Sequence, residues 1–399
     1  VVASILFVVT EDWYFLSHRL PLARAARNAG YSVSVACNIS KYANAIEDEG
    51  FTLHPIPVKR RSINPLHEMR SVVALNKLLR STRPDIVHAL ALKSILQSGV
   101  AASLAGNQSV VYAVTGLGYL YTGKSAFTYL VRSFVSLMLR FVFSRPSSRV
   151  IFQNPDDFKT LRSEGVLRGS NGRLSGDGED TVHAQSVFLI PGSGVDTAEF
   201  VPLSKRCSGG ENTVVVTLAA RMLIIKGVAD FVAAARILKR QGILVRCRLV
   251  GEYDPENRSS VSRSTLLSWK QEGVVEWCGH RDDMRTVWQE TDIAVLASHA
   301  GEGVPKSLIE AASSGCPLIA TDVPGCREIC HDGLSGILVP AQNPNALATA
   351  IRRLAVDEAK RRSLGKAGRR LVEQHFSTDT VAAKTLAVYR EMTCSKDQS

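Results

Sequence analysis

Long apolar runs are missing from this chain. No stretch of about 20 uncharged apolar residues occurs in its 399 residues, which argues against a helix spanning a membrane. Cysteine is sparse. The eight cysteines show neither paired metal spacing nor the density of a disulfide scaffold, so a reducing, cytoplasmic compartment is expected. Cys326, Cys330 and His331 are close together. No second ligand pair accompanies them, so no metal site is expected there. The chain also lacks a basic block. Lys and Arg outnumber Asp and Glu by 48 to 37, a net charge of +11, yet the cations are scattered singly. Without a basic tail, an aromatic-rich basic patch or a known motif, nucleic acid is not an expected partner. Phosphorylated ligands and anionic lipid headgroups fit the charge better. The apolar opening VVASILFVVTEDWYF has no basic region before it, and reads as a buried strand rather than a signal peptide.

What the chain does have is alternation. ASILFVVT, YSVSVAC, PDIVHAL, SVVYAVT, RVIFQN and SVFLIPG are short β-rich runs, with helical patterns such as PLARAARNAG and SILQSGVAASLAG between several of them. The rhythm restarts at residue 213 with TVVVTLAA, LVRCRLVG, VVEWCG, DIAVLAS, PLIATD and GILVP. Repeated strand–helix–strand units imply parallel sheets. The expected fold class is α/β, with two Rossmann-like, doubly wound domains facing each other across a cleft. We place the first at residues 1–198, a polar linker at 199–212, the second domain at 213–375 and a terminal helix at 376–399. Ligands of such sheets bind at the carboxyl ends of the strands. The polar, Gly-rich segment 165–185 reads as a surface loop, its Asp177–Asp180 acidic run solvated.

One short stretch suggests a different chemistry. GYLYTGKS, Gly118–Ser125, fits the phosphate-loop pattern between a strand and a helix. Its interior is bulky, however, with Tyr119, Leu120 and Tyr121 where a phosphate cradle needs close backbone approach. No apolar run ending in a metal-binding acid follows. An ATPase or GTPase is therefore not the expected reading.

Two other stretches carry more. In ASHAGEGVPKSLIEAASSGCPLIATDVPGCREI, Glu302 and Glu310 are separated by seven residues, and Glu310 lies on a helix. The start of that helix, Lys306–Leu308, offers backbone N–H groups and a positive dipole end to a phosphate. Glu310, one turn on, would reach hydroxyls beside that phosphate. Glu302, on the preceding loop, would hold a second polar ring. In TLAARMLIIKGVADFVAA, Arg221 ends a strand and Lys226-Gly227 opens a helix. Two cations at that edge would neutralise a diphosphate leaving group where a metal otherwise would.

The combination of R-x4-K-G, E-G-x-P-x-S-L-x-E-A and D-x-P-G-x-R-E resembles the retaining glycosyltransferases of the GT-B fold, which use nucleotide sugars. The likeness runs along nearly the whole chain. The opening EDWYFLSHRLPLARAARNAGYSV is similar to the subset that builds bacterial polysaccharides and lipid-linked oligosaccharides, usually on polyprenyl-diphosphate acceptors at the inner membrane face. The resemblance implies that Arg221 and Lys226 bind the donor diphosphate, that Glu310 holds the ribose, and that Glu302 meets the donor sugar and steadies positive charge at its anomeric carbon. Val304, Pro305, Lys306, Ser307 and Leu308 would line the diphosphate or sugar. The turn at Cys278 would lie at the base, and the glycine-rich loop at Gly116 beneath donor and acceptor. No metal cofactor is implied, and a uridine donor is expected. Relatives often carry a His-Gly pair where this chain has Thr115-Gly116. The acceptor-side candidates are therefore Thr115, His18, His88 and Lys124, the last toward an acceptor diphosphate. Relatives also often have one residue fewer between Ser298 and Glu302.

The helix after the glycine-rich loop bears on location. At 100° per residue, Ser125, Thr128, Arg132, Ser133, Ser136 and Arg140 share one arc and the remainder is mostly apolar. Two central arginines, at about 3 kcal/mol each, oppose spanning. An interfacial helix on an anionic membrane and a core helix both fit the pattern. The basic loop Val58–Arg70 would add membrane attraction. The enzyme is thus expected as a peripheral protein of the cytoplasmic membrane face. The alternatives are a nucleotide-sugar 2-epimerase on the same architecture, which needs no acceptor, and a non-catalytic membrane-docking homologue.

Overall fold

The computed structural model describes residues 2–59, 62, 64–106, 109–123, 125–167, 186–203, 213–257 and 259–394. These divide into two compact units, residues 1–193 with 378–399, and residues 194–377.

In the first unit the elements run β1 (Ser4–Glu11), α1 (Asp12–His18), α2 (Leu20–Asn28), β2 (Ser32–Asn38), α3 (Ala43–Glu47), β3 (Thr52–Pro55), α4 (Pro65–Thr82), β4 (Ile86–Leu90), α5 (Ala91–Ala105), β5 (Ser109–Val114), α6 (Tyr119–Thr122), α7 (Ala126–Phe143), β6 (Ser148–Phe152), α8 (Pro155–Ser163) and β7 (Ser186–Leu189). Its sheet is ordered β3-β2-β1-β4-β5-β6-β7, with every pair parallel. One apolar cluster packs α4, α5 and α7 on one face, and another packs α1 to α3 on the other.

The second unit runs β8 (Val214–Ala219), a 3-10 turn (Ile224–Lys226), α9 (Val228–Arg240), β9 (Val245–Val250), α10 (Arg263–Gln271), β10 (Glu276–Trp277), α11 (Met284–Gln289), β11 (Ile293–Leu296), α12 (Lys306–Ser313), β12 (Leu318–Thr321), α13 (Cys326–Ile329), β13 (Gly336–Val339), α14 (Pro344–Val356) and α15 (Glu358–His375). Its parallel sheet is ordered β10-β9-β8-β11-β12-β13. Residues 194–203 pack with this unit: the Val195 N–H donates to Phe376 O at 2.9 Å, and the Ser313 hydroxyl donates to Phe200 O at 2.8 Å. The last helix, α16 (Thr378–Cys394), returns to the first unit, where Val381, Leu386 and Tyr389 join the cluster around α1 and α2.

In both sheets the chain reverses direction beside the first strand, between β1 and β4 and between β8 and β11. A crevice opens at such a switch point because the flanking loops leave in opposite directions.

Two elements differ from the sequence reading. The basic loop Val58–Arg70 is in part the first turns of α4, which starts at Pro65 with Asn64 capping the Leu66 N–H at 3.0 Å. Helix α7 is turned differently from its polar arc. Thr128 and Ser136 from that arc are buried, with Ser136 bonded to the Tyr121 hydroxyl at 3.0 Å. Leu139, Val142 and Phe143 enter the core, while Leu130, Phe134, Leu137 and Phe141 are exposed. At 100° per residue those four lie within about 60° of arc. Among the described residues no helix is long and apolar enough to cross a membrane.

Candidate active site

The site is built from the loops leaving β8 and β11. After β8 the Ala220 N–H donates to Val250 O at 3.0 Å and the Met222 N–H to Glu252 O at 3.0 Å. Arg221 lies between them, its side chain 40% exposed and its guanidinium 3.5 Å from the Asp254 carboxylate. The 3-10 turn then delivers Lys226 to Gly227, whose φ is +68°; a Cβ there would sit 1.9 Å from the Ala297 carbonyl oxygen. Only glycine permits both the left-handed conformation and that approach. The close approach carries Lys226 across the switch point to the β11 loop.

There Lys226 Nζ lies 2.5 Å from Glu302 Oε2. The other Glu302 oxygen accepts from the Ser298 hydroxyl. The Glu302 N–H donates to Pro324 O at 3.0 Å. Gly325, at φ +81°, closes this turn so tightly that a Cβ would fall 2.2 Å from Gly303 O. The D-x-P-G motif is thus the backrest of the Glu302 loop. That loop leads into α12, with Val304 and Leu308 buried in the apolar cluster and Pro305 buried at the helix start. Pro305, at the N-cap of α12, makes no side-chain cap bond, and the positive end of the helix dipole faces the loop. Lys306 and Ser307 are half-buried in its first turn.

Glu310, 6% exposed, accepts from Trp288 Nε1 at 3.2 Å and faces Lys306 Nζ at 3.4 Å. Burial pushes its carboxyl above the usual range, while Lys306 and Trp288 pull it back. The folded chain therefore takes up this proton more readily than the unfolded chain. The ionised form costs stability at neutral pH, and that cost fades as pH falls through the raised value. Glu310→Gln removes the charge and keeps the shape. Its Tm should match or exceed wild type in a thermal melt. If Glu310 holds the ribose of a uridine donor, as the resemblance implies, a titration with UDP should show affinity down about 10- to 100-fold, the loss of a charge-assisted hydrogen bond or two. A Tm that falls together with the affinity would make Glu310 a structural residue only.

The turn expected at the base sits on the same strand-end edge. The Cys278 N–H donates to Leu249 O at 2.9 Å, the Gly251 N–H to Gly279 O at 2.8 Å, and Trp277 Nε1 to Gly251 O at 2.9 Å. Burial pushes the Cys278 thiol upward, so it stays neutral. A cavity of about 710 Å³ lies at the opposite, amino edge of this sheet. Thr213, Val214, Asp292 and Pro317 line it, and it is not part of this site.

In the first unit, Thr115 and Gly116 leave β5 half-buried, and the Leu117 side chain anchors the turn in the core. Asp157 accepts the Leu117 N–H, and burial pushes its carboxyl up to about 6. Asn154 Nδ2 donates to Asp157 at 2.8 Å. His18 is half-buried, stacked on Tyr14 at 4.6 Å, with Nδ1 2.6 Å from the Ser17 hydroxyl. His88 departs from the acceptor role expected of it. It is 1% exposed, its Nδ1 bonds the Tyr389 hydroxyl on α16, and its ring lies 5.3 Å from Phe7. Burial, then the Arg19 charge, hold its pKa well below 6.5. His88 is a neutral core residue. Lys124 and the Asp177–Asp180 run lie outside the described residues.

Sequence reasoning missed Asp254, Trp288, Asp157 and the His299–Asp230 pair. Asp254, Trp288 and the His299–Asp230 pair owe their places to partners on other elements, whereas Asp157 carries a local signal, the reciprocal cap with Asn154 three residues before it.

Comparison with known proteins agrees with this frame. Residues 213–357 match a family model described as glycosyl transferases group 1, and residues 4–154 match one described as glycosyl transferase 4-like. A Campylobacter jejuni protein named N,N'-diacetylbacillosaminyl-diphospho-undecaprenol alpha-1,3-N-acetylgalactosaminyltransferase is 26% identical over 94% of this chain and 97% of its own. An Escherichia coli protein named UDP-Gal:alpha-D-GlcNAc-diphosphoundecaprenol alpha-1,3-galactosyltransferase is 23% identical over 83% of this chain and 82% of its own. Among solved structures, Anabaena HepE in complex with UDP and glucose superposes with a TM-score of 0.75 at 18% identity, covering 98% of this chain and all (100%) of HepE. Sucrose-phosphate synthase from Thermosynechococcus elongatus does so with a TM-score of 0.77 at 20% identity, covering 98% of this chain and 100% of the synthase. These structural likenesses give the GT-B fold, both units carry matches to glycosyltransferase family models, and the chain is a glycosyltransferase of that fold.

Proposed function

We propose that the protein moves a sugar, with retention at the anomeric carbon, from a UDP donor to a polyprenyl-diphosphate-linked or polysaccharide acceptor at the inner face of the bacterial cytoplasmic membrane. The observation that carries this reading is the meeting of Lys226 and Glu302 at the switch point of the second sheet. A cation there suits a leaving diphosphate, and a carboxylate beside it suits a positive anomeric carbon. The names of the Campylobacter and E. coli relatives support the lipid-linked acceptor, and the HepE complex supports UDP.

In this reading the Lys226 ammonium turns its three donors from Glu302 toward the diphosphate. Arg221 adds a second cation from the same loop. The α12 amino end supplies backbone dipoles, and Glu310 accepts from the ribose hydroxyls. As the C–O bond to the diphosphate breaks, negative charge grows on the leaving oxygens beside Lys226 and Arg221, and positive charge grows on the sugar ring beside Glu302. The charge that a metal supplies in other transferases is available from these two cations. Thr115 and His18 belong to the acceptor side and Gly116 lies beneath the donor, with Asp157 bracing their turn through the Leu117 N–H. The exposed apolar face of α7 is assigned to the membrane.

The test is calorimetric binding of UDP with magnesium and with chelator, followed by transfer assays and NMR of the product's anomeric proton. UDP should bind equally in both conditions. Lys226→Ala should weaken it about 30-fold or more, the loss of about 2 kcal/mol of charged hydrogen bonding. An inverted product would refute retention, and UDP binding that needs magnesium would refute the two-cation site.

A further inference from the structure

The loop that carries Glu302 is tied to the Lys226 turn a second time, by residues that the proposed chemistry does not use. His299 Nε2 lies 2.6 Å from Asp230 Oδ2, the two side chains being 16% and 18% exposed. A carboxylate at ordinary pH only accepts, so Nε2 carries the proton. The His299 backbone N–H donates to Ile225 O at 2.8 Å. Asp230 sits in the first turn of α9, directly after the Lys226-Gly227 step. On the other side, the Thr321 hydroxyl donates to Ser298 O at 2.6 Å, and the Ser298 hydroxyl holds Glu302. The loop between Ser298 and Glu302 is thus fastened to β12 by Ser298 and to the turn and first helix after β8 by His299.

We infer that the His299–Asp230 pair positions Glu302 against the donor sugar once the nucleotide is bound, an inference that rests on the transferase reading. Lys226 and Glu302 hold each other. A bound diphosphate draws the Lys226 ammonium toward phosphate oxygens, and that contact then loosens. The His299–Asp230 bond involves neither residue, so it persists and keeps the Glu302 loop in register with the helix beside the diphosphate. Its service falls on the sugar transfer step and not on nucleotide affinity, because Lys226, Arg221 and Glu310 stay in place without it. His299, Ala300 and Gly301 separate Ser298 from Glu302, so the His299 tie adds an anchor within the loop to the Ser298 and Pro324 bonds at Glu302 itself.

The experiment measures kcat, donor KM, UDP affinity and Tm for His299→Ala, Asp230→Ala, Asp230→Asn and the double alanine variant. His299→Ala should lower kcat at least about 10-fold, as a small misplacement of a reacting group does, with UDP affinity within about twofold of wild type. Asp230→Asn keeps an oxygen to accept from Nε2, and should recover most of what Asp230→Ala loses. The double variant should be no slower than the worse single, the mark of one shared interaction. A kcat unchanged in His299→Ala overturns the inference, as does UDP affinity falling in step with kcat. A wild-type protein that binds UDP but transfers no sugar would bring down the transferase reading and this role together. An active wild type with an equally active His299→Ala brings down this role alone.

Discussion

Glu302→Gln should slow sugar transfer about 100- to 1,000-fold while leaving UDP bound as tightly as before, or more tightly. The two effects have separate causes in one contact. Lys226 Nζ is 2.5 Å from Glu302 Oε2, with the side chains only 21% and 18% exposed, so solvent screens the pair incompletely. A diphosphate entering the site competes with Glu302 for the same ammonium. Glutamine keeps the shape and the bond from Ser298 but not the charge, so the competition weakens and the nucleotide gains up to about tenfold in affinity, roughly 1.4 kcal/mol. The sugar loses the carboxylate that opposes its developing positive charge. Removing one preorganised electrostatic group of this kind costs about 10²- to 10³-fold in rate. Calorimetry with UDP and a transfer assay on the same preparation separate the two. A variant that loses UDP binding together with transfer would show that Glu302 holds the nucleotide, and the assignment would fail. Lys226→Ala gives the opposite pattern, with affinity lost first.

Which parts of this site could be read from the sequence follows from the distance between partners along the chain. Arg221 and Lys226 share one loop, and Glu302 and Glu310 share a loop and the helix after it, so their spacing is visible in a single line of residues. The parallel sheets were legible for a similar reason: each buried strand is a short continuous apolar run between helical patterns. Contacts between elements were not legible. Lys226 and Glu302 are 76 residues apart, His299 and Asp230 are 69 apart, and Trp288 and Glu310 are 22 apart. His88 was misjudged for the same reason. Its strand position at β4 was visible, but the Tyr389 hydroxyl that holds it lies 301 residues on. Helix α4 was hidden because its first turns, Pro65–Arg70, follow closely on the basic run Lys59–Arg61 and mix apolar with charged residues. Helix α7 is apolar on two sides, and periodicity alone cannot say which side meets the core.

That two-sidedness of α7 gives the other large effect. The double variant Leu130→Glu, Phe134→Glu should lose binding to vesicles rich in anionic lipid by about 100-fold or more. Leu130 and Phe134 are 70% and 62% exposed, and Leu137 and Phe141 continue the stripe at 54% and 51%. Each such side chain gains about 1.5 kcal/mol or more on leaving water. Replacing two removes about 3 kcal/mol, and the new carboxylates are repelled by the lipid headgroups. The cost to the fold is small, since side chains this exposed make few contacts that a substitution could break. Tm and UDP affinity should therefore match wild type. Helix α4 carries exposed apolar side chains as well. It packs against α5 as α7 does, and it exposes Leu66, Met69 and Val73 with Arg70, Lys77 and Arg80 beside them. Adding Met69→Glu should deepen the loss, and neutral vesicles should bind wild type weakly. The assay that ties this face to function uses two acceptors. With a short, water-soluble acceptor the double variant should work as wild type does, because the donor site is untouched. With a polyprenyl-diphosphate acceptor in vesicles it should slow in proportion to its lost binding. Equal vesicle binding by variant and wild type would mean that these exposed side chains do not meet lipid, and that the acceptor reaches the enzyme by another route.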